Sequence, residues 1–168
     1  SVVKSTAIDP SVVDADGVYR HCGEAKVFVR ERDAIAALKQ HRIAAGDVMV
    51  LLSCGPLGTG MEEIAQVTIA LKHVDFGKRV AVLTDARFSG ISTGACIGHI
   101  GPEALVGGPL GKLLDGDLIQ IVIDRDKLNG RIDFVGTEDR SLDAEEGAFE
   151  LARRPLRPDL AAEELLPE

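Results

Sequence analysis

Apolar positions along this chain change period as they go. KVFVR at residues 26–30, VMVLLSC at 48–54 and VAVLT at 80–84 are short runs rich in β-branched and aliphatic side chains, the pattern of strands buried on both faces. Between them, ERDAIAALKQH places Ala34, Ile35 and Leu38 on one face at helical spacing. MEEIAQVTIALKHV carries a second helical stripe through Ile64, Val67, Ala70 and Leu71, with Glu62 and Glu63 in its predicted first turn. Strand, helix, strand, helix, strand in that order predicts an α/β layer with at least some parallel strands.

The second half reads differently. PEALVGG allows a short helix at most, with Pro102 in its first turn. GDLIQIVID and RIDFVG are two strands joined through RDKLNG, where Asn129-Gly130 is the dipeptide of a tight hairpin turn. An antiparallel pair beside parallel strands makes the sheet mixed. LDAEEGAFELARR predicts a helix that Pro155 and Pro158 end, and the opening residues 1–25, broken by Pro10, Gly17 and Gly23, predict an irregular or short-stranded entry. The reading is one domain over residues 1–150 with a loosely attached acidic, proline-containing tail over 151–168.

Composition narrows the function. The chain of 168 residues is long enough for one sizeable core, and its net charge of −8 supplies no basic stripe for nucleic acid. Cys22, Cys54 and Cys96 lie far apart, an odd number with no CxxC pair, which suits a reducing, cytoplasmic setting. No apolar run reaches the length of a membrane span, so no membrane partner is expected. Eighteen glycines and few aromatic residues fit an aliphatic core with tightly built loops.

The candidate chemistry sits in two loops, 54–63 and 85–102, that both follow predicted strand ends. If those strands are parallel neighbours, the loops open on one edge of the sheet, where α/β proteins bind ligands. CGPLGTGMEE has glycines ahead of a helix but Met61 and Glu62 where a phosphate loop needs Lys and Ser or Thr, so nucleotide binding is not expected. Its acids, Glu62 and Glu63, suit a hard cation such as Mg²⁺ and equally suit a helix dipole. In the second loop Arg87 offers a fork for a carboxylate, and Ser89 is a base only where nearby cations stabilise its alkoxide, or otherwise a turn hydroxyl. Asp85 is a strand-end cap or an orienter of Arg87. Ser92 and Thr93 hydrogen-bond a substrate or cap the loop, and His99 is a base, a ligand or a packed polar residue. Arg-Phe-Ser-Gly-Ile does not match the GxSxG elbow, which disfavours a serine hydrolase.

TDARFSGISTGACIGHIGPEA, with GPLGTGMEE before it and GGPLGKLLDGDLIQIVID after it, resembles the C-terminal domain of the dihydroxy-acid dehydratase and phosphogluconate dehydratase family, and within it the sugar-acid, D-xylonate-type branch. The likeness runs from SVVKSTAIDP to about RIDFVG. It implies a swivelling β/β/α domain, a mixed β-sheet curled into a barrel-like core with flanking helices. It also implies loss of water from a 2,3-dihydroxy acid such as xylonate or gluconate to give a 2-keto-3-deoxy acid. In the full enzyme an iron–sulfur cluster acts on the leaving C3 hydroxyl and Mg²⁺ fixes the substrate. The resemblance makes Ser89 the acceptor of the C2 proton and Glu63 a Mg²⁺ ligand, with Arg87, Ser92, Thr93 and His99 shaping the substrate pocket.

Two departures qualify it. GPLGTGM is shorter than the family's GPxGGPGM pattern, so Glu62 competes with Glu63. The family's cluster cysteines and most of its Mg²⁺ ligands belong to an N-terminal domain outside this chain, and Cys22, Cys54 and Cys96 do not replace them. The implied partners are therefore that N-terminal domain and a small sugar acid, in a homo-oligomer, and the chain alone is expected to turn over no substrate. A branched-chain dihydroxy-acid dehydratase domain and a non-catalytic ligand-binding domain of the same fold are the alternatives.

Overall fold

The computed structural model describes residues 1–160. Its strands are β1 (Val2–Val3), β2 (Val18–Phe28), β3 (Val48–Leu51), β4 (Glu63–Ile64), β5 (Ala81–Thr84), β6 (Arg87–Phe88), β7 (Ala95–Gly98), β8 (Asp117–Asp124), β9 (Asn129–Thr137) and β10 (Arg140–Ser141), and its helices are α1 (Glu31–Lys39), α2 (Gln66–Lys72) and α3 (Ala144–Arg153). Eight strands form one mixed sheet in the order β1-β7-β5-β3-β2-β8-β9-β10, and β4 pairs with β6 apart from it. Among the described residues no pairing joins β1 to β10.

The predicted strands of the first half are present, and β2–β3, β3–β5 and β5–β7 are parallel. Their apolar runs are buried on both faces, as parallel strands between two layers require. Val48, Val50, Ala81, Leu83, Ala95 and Ile97 face one core with Tyr19, Ile119, Ile121 and Phe134. Met49, Leu51, Val82 and Cys96 face the other, under Ala34, Ala37 and Leu38 of α1 and Val67 and Leu71 of α2. Side chains from β7 and β9, far apart in the sheet order, thus share a single core.

Four expectations are corrected. The entry is not merely irregular, because β2 runs eleven residues from Val18 and changes partner midway. Val18–Glu24 pairs antiparallel with β8, and Ala25–Phe28 pairs parallel with β3. Arg20, Cys22 and Glu24 hid the strand by pointing outward, while Gly23 and Ala25 lie buried on the opposite face. The second helix begins at Gln66, not at Met61, so Glu62 and Glu63 are not in its first turn; Glu63 is in a strand. The hairpin turn is residues 125–128, since Asn129 pairs with Asp124 and Gly130 with Ile123. Leu128 instead takes the positive φ of 52°. Pro102 lies ahead of a single 3-10 turn over Ala104–Val106 rather than inside a helix.

The predicted C-terminal helix is α3. Asp143 caps it, accepting from Glu145 and Glu146 N–H, and Glu146 closes the box on Asp143 N–H. Gly147 lets it lie on β9, for a Cβ there would stand 1.8 Å from Phe134 O. Beyond it, Arg154 donates to Asp117 Oδ2 at 2.6 Å and stacks on Phe134, and Arg157 N–H donates to Gly111 O. The remainder of the predicted tail, 161–168, lies outside the described residues.

Candidate active site

Because β3, β5 and β7 are parallel neighbours, the segments after them meet at one edge. Backbone bonds fasten it: Ile100 N–H donates to Thr84 O at 3.2 Å and His99 N–H to Ala86 O at 2.8 Å. Ser53 and His99, each just past a strand end, hold φ of 60° and 51°, and Met61 holds 65°. Left-handed backbone at side-chain-bearing residues costs free energy, and such residues gather at functional sites.

Asp85, 2% exposed, lies at the centre of this edge. Its Oδ1 accepts from Cys54 N–H at 3.1 Å and its Oδ2 from Ala104 N–H at 2.9 Å, so it caps β5 and ties two loops together. Glu103 makes a second tie, both carboxylate oxygens accepting from Leu57 N–H at 3.1 Å. Neither role was legible in full. Asp85 stood out as a strand-end acid, but Glu103 bonds a residue 46 positions away and no local periodicity marks it.

Three of the expected residues come together. Glu63 and Arg87 are register partners in the parallel β4–β6 pair, followed by Ile64 and Phe88. Ser89 comes next, its N–H donating to Ile64 O at 3.0 Å. It is only 8% exposed, and its Oγ accepts from Ile91 N–H at 3.4 Å. Glu62 lies beside the Cys54 thiol.

The other three separate. Ser92 is buried, its Oγ accepting from the Thr68 hydroxyl of α2 at 3.1 Å. Thr93 lines a cleft of about 530 Å³ with Thr6, Lys72, His73 and Lys78, at the starts of β5 and β7. His99 is exposed at the far end of β7, whose four residues span about 13 Å.

The cysteines are not a ligand set. Burial, reinforced by the negative charge of Glu62 and Asp85, pushes the Cys54 thiol far up, and its Sγ–H donates to Leu52 O. Burial pushes Cys96 up to about 12, and Cys22 is exposed. No three His, Cys, Asp or Glu side chains among the described residues are grouped to hold a metal ion. An iron–sulfur cluster therefore does not fit the thiols of this chain. One hard cation fits Glu63 as a single exposed oxygen donor needing further ligands from elsewhere. No described helix is long and apolar enough to cross a membrane.

Parallel strands delivering an acid, an arginine and a shielded serine beside strained strand-end loops define an α/β domain with a candidate site at one sheet edge. Comparison with known proteins gives its family: the model for the dihydroxy-acid/6-phosphogluconate dehydratase C-terminal domain matches residues 1–160, and the chain belongs to that family. It is 59% identical over its whole length to D-xylonate dehydratase YagF of Escherichia coli (strain K12) and 55% identical to D-xylonate dehydratase YjhG of the same organism. A dihydroxy-acid dehydratase of Lachnospira eligens is 45% identical over 79% of the chain. The chain spans 26% of each D-xylonate dehydratase and 23% of the dihydroxy-acid dehydratase.

Proposed function

We propose that this chain is the C-terminal domain of a hydro-lyase that dehydrates a sugar acid to its 2-keto-3-deoxy acid, in the cytoplasm, together with an N-terminal domain of the same enzyme. The observation that carries this is the β4–β6 pair, which sets Glu63 beside Arg87 and brings the shielded Ser89 in next along β6. Identity of 55–59% over the whole of this chain to two proteins named D-xylonate dehydratase favours a sugar acid over a branched-chain substrate.

Ser89 Oγ takes the C2 proton of the substrate. The electron pair left at C2 forms the C2–C3 double bond and the C3 hydroxyl departs as hydroxide. The proton Ser89 removed completes it to water and returns Ser89 to its ionised form, and the enol moves its hydroxyl proton to C3 to become the 2-keto acid. N–H donation from Ile91 to Oγ supports the ionised hydroxyl, because hydrogen bonds to a charged form favour it. Glu63 is one ligand of Mg²⁺, and the N-terminal domain supplies the rest together with the iron–sulfur cluster. When bound, these cations fix the substrate and polarise its leaving hydroxyl. Arg87 receives the substrate carboxylate, and His99 borders the same edge. Ser92 serves the site through the turn after Ser89, which it anchors to α2, whereas Thr93 lines the cleft at the other end of β7. The core shared by Ile97 and Phe134 supports a sheet curled towards the family's barrel-like, swivelling form. Assembly as a homo-oligomer is part of the same proposal.

The test is turnover of D-xylonate and D-gluconate by the full-length enzyme. Ser89→Ala is expected to lower kcat by about 10²–10⁴-fold, with cluster content unchanged. Wild-type turnover by that variant would overturn the assignment.

A further inference from the structure

The loop over 54–63 is buried at its entry, Cys54 and Gly55, and at Gly58, but its tip and its exit stand in solvent. Leu57, near its tip, is 60% exposed. Its internal bonds converge on one acceptor, with Gly58, Thr59 and Met61 N–H all donating to Gly55 O at 3.1–3.2 Å. The loop is therefore a knot around Gly55, and what fixes the knot to the domain decides where its far end stands. That end is Glu63.

Two carboxylates do the fixing. Buried Asp85 takes Cys54 N–H at the loop's entry and, with its other oxygen, Ala104 N–H. The residue before Ala104 is Glu103, so Asp85 sets the base from which Glu103 reaches Leu57 N–H. Glu103 also packs on Gly55: a Cβ there would stand 2.2 Å from Glu103 Oε2 and 2.8 Å from its Cβ. Only glycine admits this approach. The knot is thus clamped through its hub and its tip by one half-buried side chain, whose strong, charge-assisted acceptors suit a tip exposed to solvent.

We propose that Glu103 is a positioning residue: held by Asp85, it fixes the loop that carries Glu63 relative to the turn that carries Ser89. The role rests on the dehydratase reading above, since only that reading makes the spacing of Glu63 and Ser89 matter. Glu103 touches neither residue. It acts through Gly55 and Leu57, while the β4–β6 pair fixes the loop's other end.

In the full-length enzyme, Glu103→Ala is expected to lower kcat about 100-fold, as small misplacements of reacting groups do. It should also raise the Mg²⁺ concentration for half-maximal activity about tenfold, as loss of an outer-shell support does. Glu103→Gln keeps one carbonyl oxygen for Leu57 N–H and should restore most of both. Glu103→Asp keeps the charge but shortens the reach, and should fail as Glu103→Ala does. Amide hydrogen exchange gives a readout apart from turnover: it should quicken at Leu57 and along 58–63 in Glu103→Ala, with β8 and β9 unchanged. Unchanged exchange at Leu57 overturns the proposal. So does quickened exchange with wild-type kcat and Mg²⁺ dependence. Wild-type turnover by both Ser89→Ala and Glu63→Gln overturns the roles assigned to those two residues in the dehydratase reading instead, and the exchange data keep the two failures apart.

Discussion

From Asp117 to Asp124, β8 alternates buried and half-buried residues without a break, and β9 answers it across a regular register interrupted only near Asp117. The edge beyond β3, β5 and β7 is built otherwise. Ser53, Met61 and His99 sit at positive φ there, Asp85 is buried with two N–H groups as its partners, and Leu57 stands in solvent. The hairpin half gains stability from area removed from water, which is indifferent to small shifts. The edge spends conformational strain to hold polar groups in one geometry. The two halves meet in β2, which pairs first with one and then with the other.

Perturbing each half separately sharpens the contrast. Ile121, fully buried in β8, should cost about 2–5 kcal/mol of stability as Ile121→Ala. Urea unfolding measures it, and a loss below about 1 kcal/mol would mean the hairpin half is not the stabilising one. Arg154→Ala leaves Asp117, whose side chain is 3% exposed, with only Leu114 N–H as a partner among the described residues, and should cost about 3 kcal/mol in the same assay. A negligible cost would detach the segment after α3 from the domain's stability.

The thiols give the pH arm. Cys96 is pushed up to about 12 from an ordinary 9.0, so between those values the folded chain keeps a proton that the unfolded chain releases. Stability present below pH 9 is then lost as pH rises, by about 1.4 kcal/mol per pH unit for this group. A Cys96→Ala variant should show a shallower alkaline decline, and an identical slope would contradict the burial argument.

The smallest effect probes the strained edge. His99→Gly removes the steric penalty at φ 51° and should raise stability by about 0.5–1 kcal/mol while lowering turnover of the full-length enzyme. A destabilised His99→Gly would show that the imidazole, rather than the turn, holds this corner.

Legibility followed the range of the interaction. VMVLLSC and VAVLT announced their strands because burial on both faces leaves an uninterrupted apolar run. ERDAIAALK announced its helix through spacing, and LDAEEGAFELARR announced one ended by Pro155 and Pro158. The first two-thirds of β2 was obscured, since polar residues facing outward and a glycine facing inward mimic a loop until β8 lies alongside. Glu63 was assigned to a helix because acids before an apolar stripe resemble a first turn; pairing with Arg87, 24 residues on by sequence number, decided otherwise.

By itself, the sequence determined the alternating parallel layer, the hairpin, the family and the two strand-end loops proposed as the site, because each is written in local periodicity or in an ordered run of motifs. Tertiary structure decided which of those residues are neighbours. Glu63, Arg87 and Ser89 converge through a two-residue strand pair, Thr93 and His99 part to opposite ends of β7, and Glu103 finds Leu57. Each outcome depends on hydrogen bonds between distant segments, whose partners are fixed only once the sheet has brought its strand ends to one edge.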